Sequence, residues 1–182
     1  MNFEPKQIIL KDGTSAILRA PRLEDAPALI NYVSATSGET DFLLKYPEEC
    51  TMTVEEEERF IQNILTSPFN AMILCEVNGR IAGNCSLSVK PRLKVRHRGS
   101  IGIALYRQFW GKGIGTAMFN ELIALGKQLG LHQLELEFIE GNERGRALYE
   151  KMGFSIVAER PDAIRLKDGR FLKEYIMIRK LD

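Results

Sequence analysis

Residues 100–130 read SIGIALYRQFWGKGIGTAMFNELIALGKQLG, with Gly111, Gly113 and Gly115 at the centre. Ser100 to Leu105 is an apolar run of strand length. From Gly113 to Leu129, residues Ile114, Met118, Leu122, Leu125 and Leu129 recur at steps of three and four, as one face of a helix requires. Gly130 follows in the position favoured for a left-handed cap. A helix start presents unpaired backbone N–H groups and the positive end of a dipole. Glycines there let the backbone approach phosphate oxygens closely. With the charge of Lys112 and the hydroxyl of Thr116, the turn Trp110-Gly111-Lys112-Gly113-Ile114-Gly115-Thr116 predicts a phosphate-bearing ligand. The dinucleotide fingerprint G-x-G-x-x-G fails on Met118 when begun at Gly113, and on Thr116 when begun at Gly111. The nucleotide P-loop needs Ser or Thr directly after Gly-Lys, and here Gly113 follows.

Upstream of this unit, Ala71 to Val77, the turn Asn78-Gly79, and Ile81 to Val89 form a hairpin. With a two-residue turn, Val77 faces Arg80, Cys75 faces Ala82 and Cys85 faces Met72. Cys75 and Cys85 are then not partners, and with Cys50 they are read as free thiols. Ile8-Ile9-Leu10, the turn from Lys11 to Thr14, and Ala16-Ile17-Leu18 make a first strand or short hairpin. Leu23 to Val33 has helical spacing, and Ser34 to Cys50 is irregular. A second helix begins at Thr53, which has capping-box spacing to Glu56 and a stripe of Phe60, Ile61, Ile64 and Leu65. Downstream, Leu134, Leu136 and Phe138 alternate with Glu135 and Glu137 as a half-buried strand. Asn142 caps a short helix to Met152, and Gly153 ends it. Ser155 to Glu159 and Phe171 to Ile178 are the last strands. This order predicts one domain over 1–182 of mixed α/β class: a largely antiparallel, twisted sheet flanked by helices, with one strand–helix–strand crossover.

Composition narrows the classes. The chain has 182 residues, 45% hydrophobic and 27% charged, as in a soluble globular protein. No run approaches the length of a membrane span, and the N-terminus lacks a signal-peptide layout, so a cytoplasmic protein without a membrane role is expected. Lys and Arg number 25 against 24 Asp and Glu, which gives no indication of nucleic acid. The basic run from Lys90 to Arg98 reads as a solvated loop. No metal-ligand spacing is present, and no metal is expected. Open sheet edges would suit a homodimer.

A second motif lies about 30 residues beyond the turn: Asn142-x-x-Gly145-x-x-x-Tyr149-x-x-x-Gly153-Phe154. Gly145 and Tyr149 share a helix face beside the stripe of Leu148 and Met152. Taken together and in this order, the two motifs resemble the GNAT superfamily of N-acetyltransferases, well over residues 80 to 180. The resemblance implies the family's acyl-coenzyme A N-acyltransferase fold, with acetyl-coenzyme A as co-substrate and an amine acceptor. It implies that Gly111, Lys112, Gly113, Ile114, Gly115 and Thr116 form the pyrophosphate loop. Ile103, Ala104 and Leu105 match the strand end whose backbone holds the pantetheine arm and the thioester carbonyl. Asn142 matches a side chain that hydrogen-bonds the cofactor, and Tyr149 the proton donor to the leaving thiolate.

Three departures stand out. Trp110 occupies a place where the family most often has Arg or Gln. Gly145 replaces the usual Ala, at roughly 1 kcal/mol of helix propensity. The Glu that often begins the strand before the turn is missing from Arg98-Gly99-Ser100-Ile101. Neutralising a lysine-like amine at pH 7 costs roughly 4.6 kcal/mol, against about 1.1 for an α-amine, so a site without that base leans toward α-amines of small molecules or protein N-termini. Glu39, Asp41 and Phe42 border the acceptor by the same resemblance, and Glu137 is a further candidate on its strand. The alternative is a catalytically weak acyl-coenzyme A-binding regulatory module on the same fold. Retention of Tyr149 favours catalysis.

Overall fold

The computed structural model describes residues 3–181. The N-terminal segment is a hairpin of two strands, β1 (Lys6–Ile9) and β2 (Ser15–Arg19). Helix α1 (Ala26–Gly38) continues past Val33 into the stretch that the sequence pattern left irregular. Polar Thr36 and Ser37 are buried there, and the Thr36 hydroxyl donates to the Tyr32 carbonyl at 2.8 Å. Such local satisfaction keeps a polar residue inside a helix where apolar periodicity is silent. Helix α2 (Val54–Thr66) starts as expected, with Glu56 N–H donating to Thr53 Oγ1 and Thr53 N–H to the Glu56 carboxylate. Its stripe is narrower than the sequence suggests, since Ile61 is fully buried while Phe60 is exposed and Glu57 is buried instead.

Strands β3 (Asn70–Val77) and β4 (Arg80–Val89) meet at Asn78 and Gly79, whose φ angles of 50° and 74° suit a two-residue hairpin turn. Val77 pairs with Arg80. A bulge between Cys75 and Glu76 then shifts the register, so Cys75 lies opposite Gly83 and Cys85 opposite Ile73, one residue away from the simple expectation. All three cysteines are free, and burial pushes the thiols of Cys75 and Cys85 up.

The remaining elements are β5 (Arg98–Leu105), α3 (Ile114–Gln128), β6 (Gln133–Ile139), α4 (Glu143–Lys151), β7 (Ser155–Arg165) and β8 (Phe171–Lys180). β7 runs beyond Glu159, although Pro161 and Asp162 (φ 50°) interrupt its pairing until Ile164 meets Leu172. An edge strand tolerates the missing proline N–H. On α3 the expected stripe is buried from Ile114 to Leu122, whereas Leu129, past the last turn, is exposed.

All eight strands form one sheet in the order β1-β2-β3-β4-β5-β6-β8-β7. The pairing of β5 with β6 is parallel and the other six are antiparallel. One face carries Ile73, Cys75, Cys85, Leu87, Leu134 and Phe138 against Met118, Phe119 and Leu122 of α3 and Tyr149 of α4. The opposite face sets Leu74 and Ile81 against Ala26, Leu29 and Tyr32 of α1 and Ile61 of α2. Neighbours such as Ile73 and Leu74 thus feed different cores, as the twofold period of a strand demands. Among the described residues no helix is long and apolar enough to cross a membrane.

Candidate active site

β5 and β6 pair only from Arg98–Gln133 to Ser100–Glu135. Beyond that, β5 stays with β4 to Leu105 while β6 stays with β8 to Ile139, so the two strands part like a fork. A parallel pair that stops early leaves backbone N–H and C=O groups facing the gap, and these must find another partner. The gap opens into a cleft of about 600 Å³. Ile103, Ala104 and Leu105 line it, as do Gly111, Gly113, Gly115 and Thr116.

At the turn, Gly111 has φ 78° and Gly113, the cap of α3, has φ 95°. Both lie in the left-handed region that a β-carbon disfavours. No side chain caps α3, so its first amides lack a capping partner at the end of the cleft that Gly113 and Gly115 line. Trp110 explains itself here. Its indole N–H donates to the Leu105 carbonyl at 2.9 Å, tying the turn to the end of β5, while the guanidinium groups of Arg107 and Arg144 each stand 5.5 Å from its ring. Lys112 is not the mobile charge the sequence suggests. Its ammonium pairs with Asp12 at 2.9 Å, its carbonyl accepts the Lys11 N–H at 3.0 Å, and it does not line the cleft. Hydrogen bonding to that ammonium and to Thr14 lowers the Asp12 carboxyl to about 2. The Ile114 side chain is fully buried and offers only its backbone to a ligand.

Tyr32, buried on α1, fixes the β5 side of the fork. Its hydroxyl accepts the Asn84 N–H at 3.2 Å and donates to the Ala104 carbonyl at 2.7 Å, and burial raises its pKa. Opposite, Asn142 caps α4 by accepting the Gly145 N–H at 2.9 Å through Oδ1, and it lines the cleft. A β-carbon on Gly145 would lie 2.6 Å from the Asn142 amide, so the glycine makes room for the cap and offsets its low helix propensity.

Tyr149 lines the same cleft with its ring held between Phe119 (5.5 Å) and Phe138 (5.8 Å). Burial pushes its pKa up to about 12. Glu137 also lines the cleft, and it is the only carboxylate among the described residues that does so. Its strand neighbour Phe138 packs with Tyr149, so alternation sends Glu137 to the opposite face. Of the other candidates, Phe42 lines the cleft, but Glu39 and Asp41 do not. The Glu39 carboxylate accepts the Arg107 N–H at 2.6 Å, and Asp41 borders an adjoining cavity of about 220 Å³ with Tyr46 and Arg165.

Arg144 and Asn84 line the cleft without having been singled out from sequence. Alternation of Asn84, Ser86 and Ser88 with apolar Cys85, Leu87 and Val89 was a readable signal for a polar face. Nothing in the pattern marked Arg144 apart from Arg146. Among the described residues, no three His, Cys, Asp or Glu side chains group as metal ligands.

Residues 16–155 match the acetyltransferase (GNAT) domain. The mycothiol acetyltransferase of Propionibacterium freudenreichii is 29% identical over 115 residues. That match covers 62% of this chain but only 36% of the relative, so the chain spans about a third of that curated protein. Among solved structures, a GNAT-family acetyltransferase from Streptococcus pneumoniae superposes with a TM-score of 0.86 at 28% identity, covering 91% of this chain and 99% of the other. A putative acetyltransferase from Salmonella typhimurium, solved with its cofactor acetyl-CoA, gives 0.78 at 19% identity, with 91% and 93% covered. With its forked sheet and glycine turn, this chain belongs to the GNAT acetyltransferase family.

Proposed function

We propose that the protein transfers an acetyl group from acetyl-CoA directly to a primary amine, of a small molecule or of a peptide N-terminus. The observation that carries this reading is the placement of Glu137 and Tyr149 on opposite faces of β6 in one cleft, beside the glycine turn. The residues fit the co-substrate. Open amides at Gly111–Gly115 suit a diphosphate, and the stretch Ile103–Leu105 of β5, which has no strand partner on the β6 side, suits an amide-bearing arm. Acetyl-CoA supplies an activated thioester.

Glu137 faces the side of the fork that holds Phe42, Leu43, Thr36 and Thr40, where an amine would enter. Its carboxylate, which stands 3.7 Å from the Arg160 guanidinium at the exposed side, attracts an ammonium and takes the proton that the amine must lose, the usual work of a positioned base. Tyr149 approaches from the other face and donates a hydrogen bond to the departing sulfur. With the phenol at about 12 and a thiol near 8.5, complete proton transfer is uphill by roughly 5 kcal/mol. Tyr149 therefore stabilises the thiolate chiefly by hydrogen bonding. Retention of both groups in the cleft favours an enzyme over a binding module.

The test is thiol release from acetyl-CoA across a panel of small amines, amino acids and peptides, with mass spectrometry of the acetylated product. Turnover with at least one amine, sharply reduced in Tyr149→Phe, is expected. Tight acetyl-CoA binding without turnover on any member of a broad panel would leave the binding module as the better account.

A further inference from the structure

We propose that the unpaired Arg144–Lys151 face of α4 is the cationic wall of the diphosphate site, supplying the charge that Trp110 lacks and that Lys112 cannot lend while Asp12 holds it. This rests on acetyl-CoA being the ligand of the cleft.

Arg144, Leu148 and Lys151 are spaced at four and three residues and so share one face of α4. That face runs in register along the glycine turn. An Arg144 Nη1 atom lies 3.5 Å from where a Gly111 β-carbon would stand. A Leu148 methyl lies 2.8 Å from the corresponding position on Gly115, and Lys151 Nζ is 3.5 Å from Thr116 Oγ1. The glycine turn and the start of α3 therefore lie along α4 from Gly111 to Thr116, with one cation at each end and Leu148 packed between them.

Charge pairing separates these cations from their neighbours. Arg146, on the other side of α4, is tied to Glu150 at 2.9 Å, and Lys112 to Asp12 at 2.9 Å. Among the described residues neither Arg144 nor Lys151 makes an ion pair. Arg144 is instead oriented by the Trp110 ring, and stacking leaves the in-plane N–H groups of a guanidinium free for oxyanions. The aromatic that displaces the family's polar residue from the turn thus positions an arginine from the next helix. A guanidinium fork matches two phosphate oxygens, whereas Lys151 adds a point charge.

Calorimetric titration with CoA, dephospho-CoA and pantetheine separates the possible sources of any effect. In Arg144→Ala, affinity for CoA is expected to fall about tenfold, and in Arg144→Ala/Lys151→Ala further, as for lost charge-assisted bonds. Dephospho-CoA, which lacks only the 3′-phosphate, is expected to lose as much. The preference for CoA over pantetheine should shrink by the same factor, and Arg144→Lys should recover part of it. Equal losses for CoA and pantetheine, no loss at all, or a loss confined to CoA and absent for dephospho-CoA would each overturn the assignment. Circular dichroism of each variant excludes misfolding as the source of a loss. Failure of the unsubstituted protein to bind CoA is a different result, and it removes the proposed function together with this inference.

Discussion

At the glycine-turn end of the cleft, backbone geometry does nearly everything: two left-handed glycines, an uncapped helix start and a strand edge without a partner. At the other end the wall is side chains on irregular chain. Thr40, Phe42, Leu43 and Leu44 come from the α1–α2 connection. That connection is latched to the β7–β8 turn, where Tyr46 OH accepts the Lys167 N–H at 3.0 Å and the Lys167 ammonium pairs with Glu48 and lies over the Tyr46 ring. Main-chain recognition tolerates little change of sequence and serves one ligand. A side-chain wall on a loop can be rebuilt for another acceptor while the scaffold stays fixed. Under the proposed function, the difference assigns fixed chemistry to one end and specificity to the other.

The largest test falls where the two ends meet. Tyr149→Phe is expected to lower kcat about 100-fold with little change in KM for acetyl-CoA, and Glu137→Gln to lower it about as much at pH 7. The two variants should differ in pH dependence. Without the carboxylate, the rate rises as the amine loses its own proton with increasing pH, and no such recovery occurs without the phenol. Because burial holds Tyr149 near 12, above its ordinary value of about 10, the phenol stays protonated through the neutral range. Its contribution to stability is complete below pH 10 and lost between about 10 and 12. A kcat profile in the unsubstituted protein that falls with a midpoint near pH 8 would assign the acid to another group.

Next in size is Gly113→Ala. At φ 95° the substitution is strained whatever space surrounds it, with a cost of about 1 kcal/mol or more. KM for acetyl-CoA is expected to rise about tenfold while acceptor preference across an amine panel stays in the same order. A reordered panel would erase the separation between a fixed end and a specific end.

The same division explains what could be read from the sequence. Glycines at 111, 113 and 115, the cap at Asn142 and the periodicities of α3 and β6 are local signals, and each local signal has one structural meaning. The fold class followed from them, and so did the position of the glycine turn at the start of α3. The ion pair that holds Lys112 could not be read, because Asp12 is 100 residues away on a hairpin turn whose docking no spacing announces. The bond from the Arg107 N–H to the Glu39 carboxylate is hidden for a similar reason, since 68 residues separate the two. Alternation makes Glu137 a candidate on its strand but does not say what it faces. Only the early end of the β5–β6 pairing opens the gap that it lines. The bulge at Cys75–Glu76 and the extension of β7 past Pro161 likewise depend on neighbouring strands.

A smaller effect should come from the latch. Tyr46→Phe keeps the ring beneath Lys167 but removes the hydroxyl that accepts the Lys167 N–H. Loss of one partly exposed hydrogen bond is worth on the order of 1 kcal/mol. The acceptor KM is expected to rise about threefold, with KM for acetyl-CoA within twofold of its starting value. Equal rises in both would mean that the loop shapes the whole cleft and not one end.

The smallest expected change probes the rigidity of the turn from outside. Asp12→Asn releases Lys112 but leaves the Lys11 N–H on the Lys112 carbonyl, so the backbone clasp persists while the charge becomes free. If charge is what the diphosphate end lacks, KM for acetyl-CoA should fall about twofold, with a steeper dependence on salt. If the ion pair matters for holding the turn in shape, KM rises instead, and the fixed end owes its form to the N-terminal hairpin as well as to its glycines. Either sign is informative because the pair is half-exposed and contributes little through stability alone.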